Sequence, residues 1–240
     1  MTDWLSRTEL LLGEDGLQKL KTANVLVVGL GGVGSYAAEM ICRAGVGSMT
    51  IVDGDVIQAS NRNRQLPALK SAEGLAKAEV MGMRLRDINP ELNLIVIQEY
   101  LKDEKMTDVL DVGFDYVVDA IDTLSPKIFL IYHSLQKKFP LVSSMGAGGK
   151  FDPARISISD ISETTDCKLA RILRKRLHRL GIREGFVAVY SPEVIDKSKI
   201  VPTNGEQNKA SIVGTISYMP AAFGIACASV VIRDLAGIHR

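Results

Sequence analysis

Four glycines and an aspartate in the first quarter of the chain have the types and spacing needed to hold a nucleotide. The glycines follow directly on an apolar run over residues 25–28, and they are Gly29, Gly31, Gly32 and Gly34. Asp53 ends a second apolar run. Glycines let a chain turn tightly and approach phosphates, helix-terminal N–H groups face the anion, and a carboxylate can hold ribose hydroxyls. The stretch therefore predicts a nucleotide-binding turn between a buried strand and a helix.

The loop after Asp53 favours ATP over NAD as the nucleotide. It carries Asn61 and Arg64, and Lys77 begins the next predicted helix. A triphosphate needs several such donors, whereas a dinucleotide needs fewer. Asp122 follows another predicted strand, should face the same crevice, and is placed to hold Mg²⁺. The structural alternatives are solvated surface charges and, for Asp122, a helix cap.

A strongly basic segment over residues 168–183 predicts contact with RNA. It contains seven lysines and arginines, one histidine and no acid, on an amphipathic helical pattern. A helix this basic repels itself without a polyanion, so a phosphate backbone is the favoured partner. The alternative is a solvated helix face. The candidate tRNA-binding residues are Lys168, Arg171, Arg174, Lys175 and Arg179.

The cysteines argue against thioester chemistry. Cys42, Cys167 and Cys227 lie far apart, form no CxxC pair and fit a reducing cytoplasm. Cys42 and Cys227 fall in predicted core segments, and Cys167 is the one candidate with a thiolate-favouring neighbour, Lys168. The three histidines have no metal-ligand spacing, and the N-terminus lacks the basic flank of a signal peptide.

The elements that must position these residues alternate between strands and helices. We predict strands over residues 25–28, 49–52, 94–97, 116–120 and 141–144. Helices are predicted over residues 5–21, 35–44 and 77–89, with another opening at Ser125-Pro126. The alternating pattern of residues 155–161 predicts a half-exposed antiparallel strand. The fold class is α/β, a doubly wound Rossmann-like, mostly parallel sheet with an antiparallel extension and a C-terminal helical region.

The chain is expected to be one domain over residues 1–240. Residues 1–22 form the N-terminal helix and residues 23–150 the nucleotide-binding core. Residues 151–240 hold antiparallel strands, the basic helix, a crossover loop and a C-terminal helix. The segment over residues 212–232 is apolar, but Pro220 and several small polar residues interrupt it. We expect a buried strand and helix there and no stable membrane insertion.

The chain resembles the adenylating enzymes related to ubiquitin-activating enzyme. The matching stretches are GLGGVG at 29–34, DGD at 53–55, SNRNRQ at 60–65, Lys77 and DAID at 119–122. The resemblance implies that Asp53 binds ribose, that Asn61, Arg64 and Lys77 bind the triphosphate, and that Asp122 serves Mg²⁺ and the α-phosphate. It also implies that Arg7 reaches the ATP of a neighbouring subunit, and hence a homodimer.

One branch of this family, the tRNA threonylcarbamoyladenosine dehydratases, is similar over most of the chain. The stretches that point to it are GLAKAEVM at 74–81, INPE at 88–91 and GAGG at 146–149. The resemblance implies an ATP-dependent cyclisation of the threonylcarbamoyl group on adenosine 37 of tRNA. Two alternatives stay open, an activator of a ubiquitin-like sulfur carrier with a sulfur-transfer partner, and a nucleotide-sensing or RNA-binding module without catalysis.

Overall fold

A seven-stranded sheet forms the centre of the computed structural model, which describes residues 4–202 and 211–238. Its strands are β1 (Asn24–Val28), β2 (Ser48–Val52), β3 (Asn93–Ile97), β4 (Tyr116–Asp119), β5 (Leu141–Ser144), β6 (Ser157–Asp160) and β7 (Val187–Tyr190). The order across the sheet is β3-β2-β1-β4-β5-β7-β6, with β6 antiparallel to β7 and the other pairs parallel. A separate antiparallel pair joins β8 (Ile200–Pro202) to β9 (Ser211–Val213). The predicted fold class is confirmed.

Helices cover both faces of the sheet. They are α1 (Ser6–Thr22), α2 (Gly34–Arg43), α3 (Lys77–Ile88), α4 (Asp103–Asp111), α5 (Leu124–Gln136), α6 (Lys168–His178) and α7 (Tyr218–Ala236). Buried residues of α1, α2, α3 and α7 share one apolar core, and those of α4, α5 and α6 share the other. Strand β1 contributes alternate residues to the two cores, which explains why its sequence is apolar without interruption.

The register of the parallel strands brings the predicted site residues to one edge. Val28 at the end of β1 is level with Val52 of β2 and with Asp119 of β4. The chain order reverses between β1 and β4, which is where open α/β sheets bind ligands, beyond the carboxyl ends of the strands. The glycine turn, Asp53 and Asp122 all follow strands that end at this crevice.

The basic helix is shorter than predicted, and its end has a clear physical cause. Helix α6 stops at His178 and does not continue to residue 183. Gly181 adopts a left-handed φ of 83°, its N–H donates to the carbonyl of His178, and the N–H of Ile182 donates to that of Leu177. This pair of bonds is a Schellman termination, for which glycine is the usual residue. Gly181 is a helix-ending signal that the sequence shows, but the predicted helix continued past it.

Several features lie outside the prediction or outside the described residues. Helix α4 and strand β7 were not predicted, although β7 joins β5 to the antiparallel β6 and so carries the extension of the sheet. The crossover loop predicted in the C-terminal part falls largely on residues 203–210, which the structure does not describe. His239 also lies outside the described residues.

The apolar C-terminal segment forms β9 and most of α7. The expected buried helix is confirmed, but the expected buried strand is wrong, because β9 pairs only with β8 outside the main sheet and Ile212 is 49% exposed. By length and composition alone α7 is able to cross a membrane, and it is the one such helix in the described part of the chain. Here it packs on α2, where a Cβ on Gly224 would lie 2.3 Å from the carbonyl oxygen of Val33. Met219, Phe223 and Cys227 on α7 have no exposed surface. In this fold α7 is therefore a core helix that closes one face of the sheet.

Candidate active site

The turn between β1 and α2 has room for glycine and no other residue at two positions. Gly29 adopts a left-handed φ of 89°, and its N–H donates to the carbonyl of Val52 at 2.8 Å. A Cβ on Gly29 would lie 2.7 Å from the carbonyl oxygen of Ala120, and one on Gly34 would lie 1.7 Å from that of Gly29. These two glycines are therefore required by the protein's own packing.

Gly31 is different, because nothing in the protein demands a glycine there. Its φ lies outside the left-handed region, and a Cβ would meet only the Gln65 amide nitrogen, at 3.7 Å. The space beside Gly31 is open, as it is at glycines that let phosphates approach the backbone. Gln65 Oε1 in the same place is buried and has no hydrogen-bond partner within the described ranges. Gly32 instead packs against Pro220 of α7.

Asp53 ties the end of β2 to the glycine turn. Its Oδ2 accepts from the N–H of Leu30 at 2.6 Å, and its Oδ1 accepts from the N–H of Asp55 at 2.8 Å. Burial raises the pKa of Asp53, and the nearby Lys77 ammonium opposes that rise. Each carboxylate oxygen can accept a second hydrogen bond, so both remain available to ribose hydroxyls.

Lys77 lies in the crevice but is paired with a carboxylate. Its Nζ lies 2.7 Å from Asp55 Oδ2, and its side chain is nearly buried. Tyr100, which follows β3, donates from its hydroxyl to Asp55 Oδ1 at 2.5 Å. That hydrogen bond, with burial and the charges of Asp53 and Asp122, raises the pKa of Tyr100 to about 12. The phenol therefore stays protonated, with the carboxylates of Asp53, Asp55 and Asp122 near it.

Asn61 and Arg64 lie in the loop after β2 with local partners. Asn61 is buried, and its Oδ1 accepts from the N–H of Gln58 at 3.0 Å. Nη1 of Arg64 donates to the carbonyl of Ser60 at 2.9 Å and to Oδ1 of Asn63 at 2.8 Å. These bonds hold the loop in shape, and the remaining N–H groups of the Arg64 guanidinium are not used by them.

A buried ion pair fixes the loop that carries Asp122. Lys127 Nζ lies 2.8 Å from Asp119 Oδ2, and both side chains are almost fully buried. Ser143 Oγ donates to the same Oδ2 at 2.6 Å, and Lys127 Nζ also donates to the carbonyl of Ile121 at 3.1 Å. Asp122 lies in this loop and is exposed at the carboxyl edge of the sheet.

These groups lie along one edge of the sheet and suit a phosphorylated nucleotide. The glycine turn offers backbone N–H groups, the carboxylate of Asp53 suits a ribose, and cationic side chains follow on the next loop and helix. A model of the ThiF family matches residues 5–240. The chain belongs to the ThiF family.

Two curated proteins that are similar to this chain share one name. The tRNA threonylcarbamoyladenosine dehydratase of Bacillus subtilis (strain 168) is 44% identical over 193 residues, which are 80% of this chain and 76% of that protein. Its namesake from Escherichia coli (strain K12) is 45% identical over 170 residues, 71% of this chain and 63% of that protein. The crystal structure of E. coli tRNA N6-threonylcarbamoyladenosine dehydratase in complex with ATP has a TM-score of 0.88 and 36% identity. It covers 97% of this chain and 93% of that one.

Arg7 is exposed and lies on the first turn of α1. A kink at Gly13 divides α1, and the segment before the kink, residues 6–12, is called the arm and carries Arg7. Leu10 and Leu11 on this arm are 73% and 83% exposed. Exposed leucines next to an arginine are typical of a surface that another protein chain covers.

The five predicted tRNA-binding residues of this ThiF-family chain do not share one environment. Lys168, Arg171, Lys175 and Arg179 are exposed. Arg174 is half-buried, and its guanidinium donates to the carbonyls of Ile161 and Thr164 and to the Thr164 hydroxyl. Arg174 thus anchors α6 to the preceding segment, and the exposed cations form the surface that remains.

The three cysteines differ in their burial. Cys42 and Cys227 are buried, and burial raises their pKa values to about 11 and about 12. A thiol with so high a pKa is a poor nucleophile at neutral pH. Cys167 is half-buried at the start of α6.

Three residues that contact the predicted site were given no role by the sequence analysis. Asp55, Tyr100 and Lys127 each contact a predicted site residue or its loop. Asp55 stood two residues after Asp53 as a visible signal. Tyr100 carried none, because its partner Asp55 lies in the loop after a different strand, and Lys127 meets Asp119 across the loop between β4 and α5. Phe129 of α5, which lies beside Arg176 and Arg179, was also missed.

Proposed function

We propose that this protein uses ATP to dehydrate the threonylcarbamoyl group on adenosine 37 of tRNA to a cyclic form. The observation that carries the proposal is the match to the ATP-bound E. coli dehydratase, which extends over 97% of this chain. The match is therefore not confined to the nucleotide-binding core that all adenylating enzymes share. A tRNA substrate agrees with a cytoplasmic location.

The residues of the crevice divide the binding of ATP between them. The open space beside Gly31 would receive phosphates, and Asp53 would accept from ribose hydroxyls. Arg64 and Asn61 would donate to the triphosphate. Lys77 would do so by giving up part of its contact with Asp55. Such fixed donors act on charge that develops at the phosphate, which is how phosphoryl sites lower the barrier.

Asp122 suits a magnesium ion that is held mainly by the nucleotide. Nowhere in residues 4–202 or 211–238 do three or more His, Cys, Asp or Glu side chains form a group able to hold a metal. Mg²⁺ in nucleotide sites needs only one or two carboxylates, because phosphates and water supply the other ligands. When bound there, Mg²⁺ would neutralise phosphate charge during transfer.

The proposed chemistry has two steps and no covalent enzyme intermediate. An oxygen of the threonyl carboxylate attacks the α-phosphorus, and pyrophosphate leaves. A nitrogen of the threonylcarbamoyl group then attacks the carbonyl carbon of the acyl-adenylate, loses its proton, and expels AMP. The oxygen lost from the substrate leaves with AMP, so the net change is loss of water. The high pKa values of Cys42 and Cys227 agree with a route that needs no thiol.

The active form is proposed to be a homodimer in which Arg7 enters the partner's site. The arm of α1 with its exposed leucines supplies a surface that a second copy would cover. Arg7 lies on that arm and would add a cation at the triphosphate of the neighbouring subunit. Completion of the site by a second copy would make activity depend on assembly.

The exposed cations of α6 are proposed to contact tRNA phosphates. Neither α5 nor α6 contains an acid, so the field at this surface is not offset within these helices. Contacts of this kind position the RNA and carry little sequence information.

AMP release in the presence of candidate acceptors tests the proposal. The protein is incubated with ATP and tRNA that carries threonylcarbamoyladenosine, and in parallel with a diglycine-tailed sulfur-carrier protein. The proposal expects AMP with the tRNA only, together with cyclised nucleoside in a digest. AMP or adenylate exchange with the carrier alone would favour a sulfur-carrier activator. ATP binding without AMP in either reaction would favour a module without catalysis.

A further inference from the structure

A depression of about 340 Å³ lies between α5 and α6, outside the nucleotide crevice. Its lining combines apolar, aromatic and cationic groups, namely Ser125, Ile128, Phe129, Arg176, Arg179 and Leu180. Phe129 is 49% exposed, although it is a large aromatic residue. Its ring is stacked on that of His133, with 6.4 Å between the centroids and 26° between the planes. This depression, called the groove below, therefore presents an aromatic surface beside two arginines.

The charge of the groove selects an anionic occupant. The helices that form it, α5 and α6, contain no aspartate or glutamate. Arg176 and Arg179 are exposed and lie on the last turn of α6 and directly after it. An aromatic ring with arginines at its side is the combination that binds unpaired nucleotides, since bases stack on the ring and guanidinium groups contact phosphate.

The position of the groove places it next to the reaction. Ser125 is three residues after Asp122, so their Cα atoms are at most about 11 Å apart. Ser125 and Phe129 are one helical turn apart and share a face of α5. The groove therefore begins where the loop with Asp122 ends, at the carboxyl edge of the sheet.

We propose that this groove holds an unpaired nucleotide of tRNA next to the reacting adenosine. Its base would stack on Phe129, and its phosphate would contact Arg176 and Arg179. The inference rests on the proposed function and adds to it a stacking subsite that shares Arg176 and Arg179 with the charged surface of α6. An apolar groove of this kind could also receive a protein segment, but the paired arginines and the absence of acids favour RNA.

Steady-state AMP release at varied tRNA concentration tests the subsite. The probe is tRNA with threonylcarbamoyladenosine, and ATP is saturating. Phe129→Leu removes the ring and keeps an apolar side chain, so the KM for tRNA should rise about fivefold or more, as loss of base stacking predicts. The kcat and the rise in Tm caused by ATP should stay near the wild-type values. Phe129→Trp keeps an aromatic surface and should restore the KM.

Salt dependence separates stacking from charge contacts. Arg179→Gln should flatten the slope of log affinity against log salt by up to about one unit, and Phe129→Leu should leave the slope unchanged. Arg86→Gln, an exposed arginine on α3 outside the groove, is the matched control and should change neither KM nor slope.

These measurements separate a failure of the stacking subsite from a failure of the proposed function. If the wild-type protein releases no AMP with the tRNA, the proposed function fails. If the wild-type protein is active and Phe129→Leu has a wild-type KM, the stacking subsite is wrong and the proposed function stands. A raised KM that Phe129→Trp does not restore would also overturn the stacking role.

Discussion

Replacing Gly31 by alanine should impair ATP binding while leaving the fold intact. The φ of Gly31 is outside the left-handed region, and the nearest atom to an added Cβ is 3.7 Å away. The protein itself can therefore accept the methyl group, and the unfolding free energy should change by no more than about 0.5 kcal/mol. The same methyl group would occupy the space that phosphates need, and the cost should appear only when ATP binds.

The size of the effect can be worked out from the linkage of binding to stability. At an ATP concentration one hundred times the Kd, the wild-type protein gains about 2.7 kcal/mol. A tenfold weaker affinity reduces that gain to about 1.4 kcal/mol. For a chain of this length, each 1 kcal/mol moves the Tm by about 2–4 °C. The rise in Tm caused by ATP should therefore fall from about 5–11 °C to about 3–6 °C.

Gly34→Ala is the matched control, because its Cβ would lie 1.7 Å from the carbonyl oxygen of Gly29. This variant should lose about 1–3 kcal/mol of stability without any ligand, since the backbone must shift to accept the methyl group. Differential scanning fluorimetry with and without ATP and Mg²⁺ measures both effects. A full ATP-induced shift in Gly31→Ala would refute the assignment of this space to phosphates. A loss of stability in Gly31→Ala as large as in Gly34→Ala would show that the turn tolerates no side chain at all.

Three further variants test other parts of the site. Asp122→Asn should lower AMP formation by about 10²–10³ with an unchanged Tm, because one charged group at the phosphoryl centre is lost; near-normal turnover would remove Asp122 from the metal site. Lys127→Met should lower the unfolding free energy measured in urea by about 3–5 kcal/mol, because it leaves the Asp119 carboxylate buried and unpaired. Adding Asp119→Asn should recover part of that loss. Mixed Arg7→Ala and Lys77→Ala subunits should regain activity if Arg7 acts in trans, and no recovery despite proven subunit exchange would place Arg7 elsewhere.

The nucleotide crevice was largely predictable because its signals are local. A buried parallel strand, a glycine turn, a helix and an acid at the next strand end occur within about thirty residues, and each has a physical requirement that sequence displays. The register of β1 with β2 and β4 then brings Gly29, Asp53 and Asp122 together without further information.

The contacts among these residues could not be predicted in the same way. Lys77 and Asp55 are neighbours in the loop region, but Tyr100 reaches Asp55 from the end of β3, and its role depends on strand order. The Asp119–Lys127 pair depends on a loop that folds back on the first turn of α5. A single sequence contains no signal for such contacts, because each partner alone resembles an ordinary surface charge.

The basic helix shows why a pattern of charge along one helix does not define a binding surface. Its periodicity correctly indicated an apolar face and a cationic face, yet Arg174 on this helix is turned toward the carbonyls of Ile161 and Thr164. Arg176, which was not singled out, lies with Phe129 in the groove toward α5. The surface is formed by two helices more than thirty residues apart in the chain. Packing between helices therefore decides which cations stay exposed, and the aromatic ring beside Arg176 and Arg179 lies on the helix without the basic pattern.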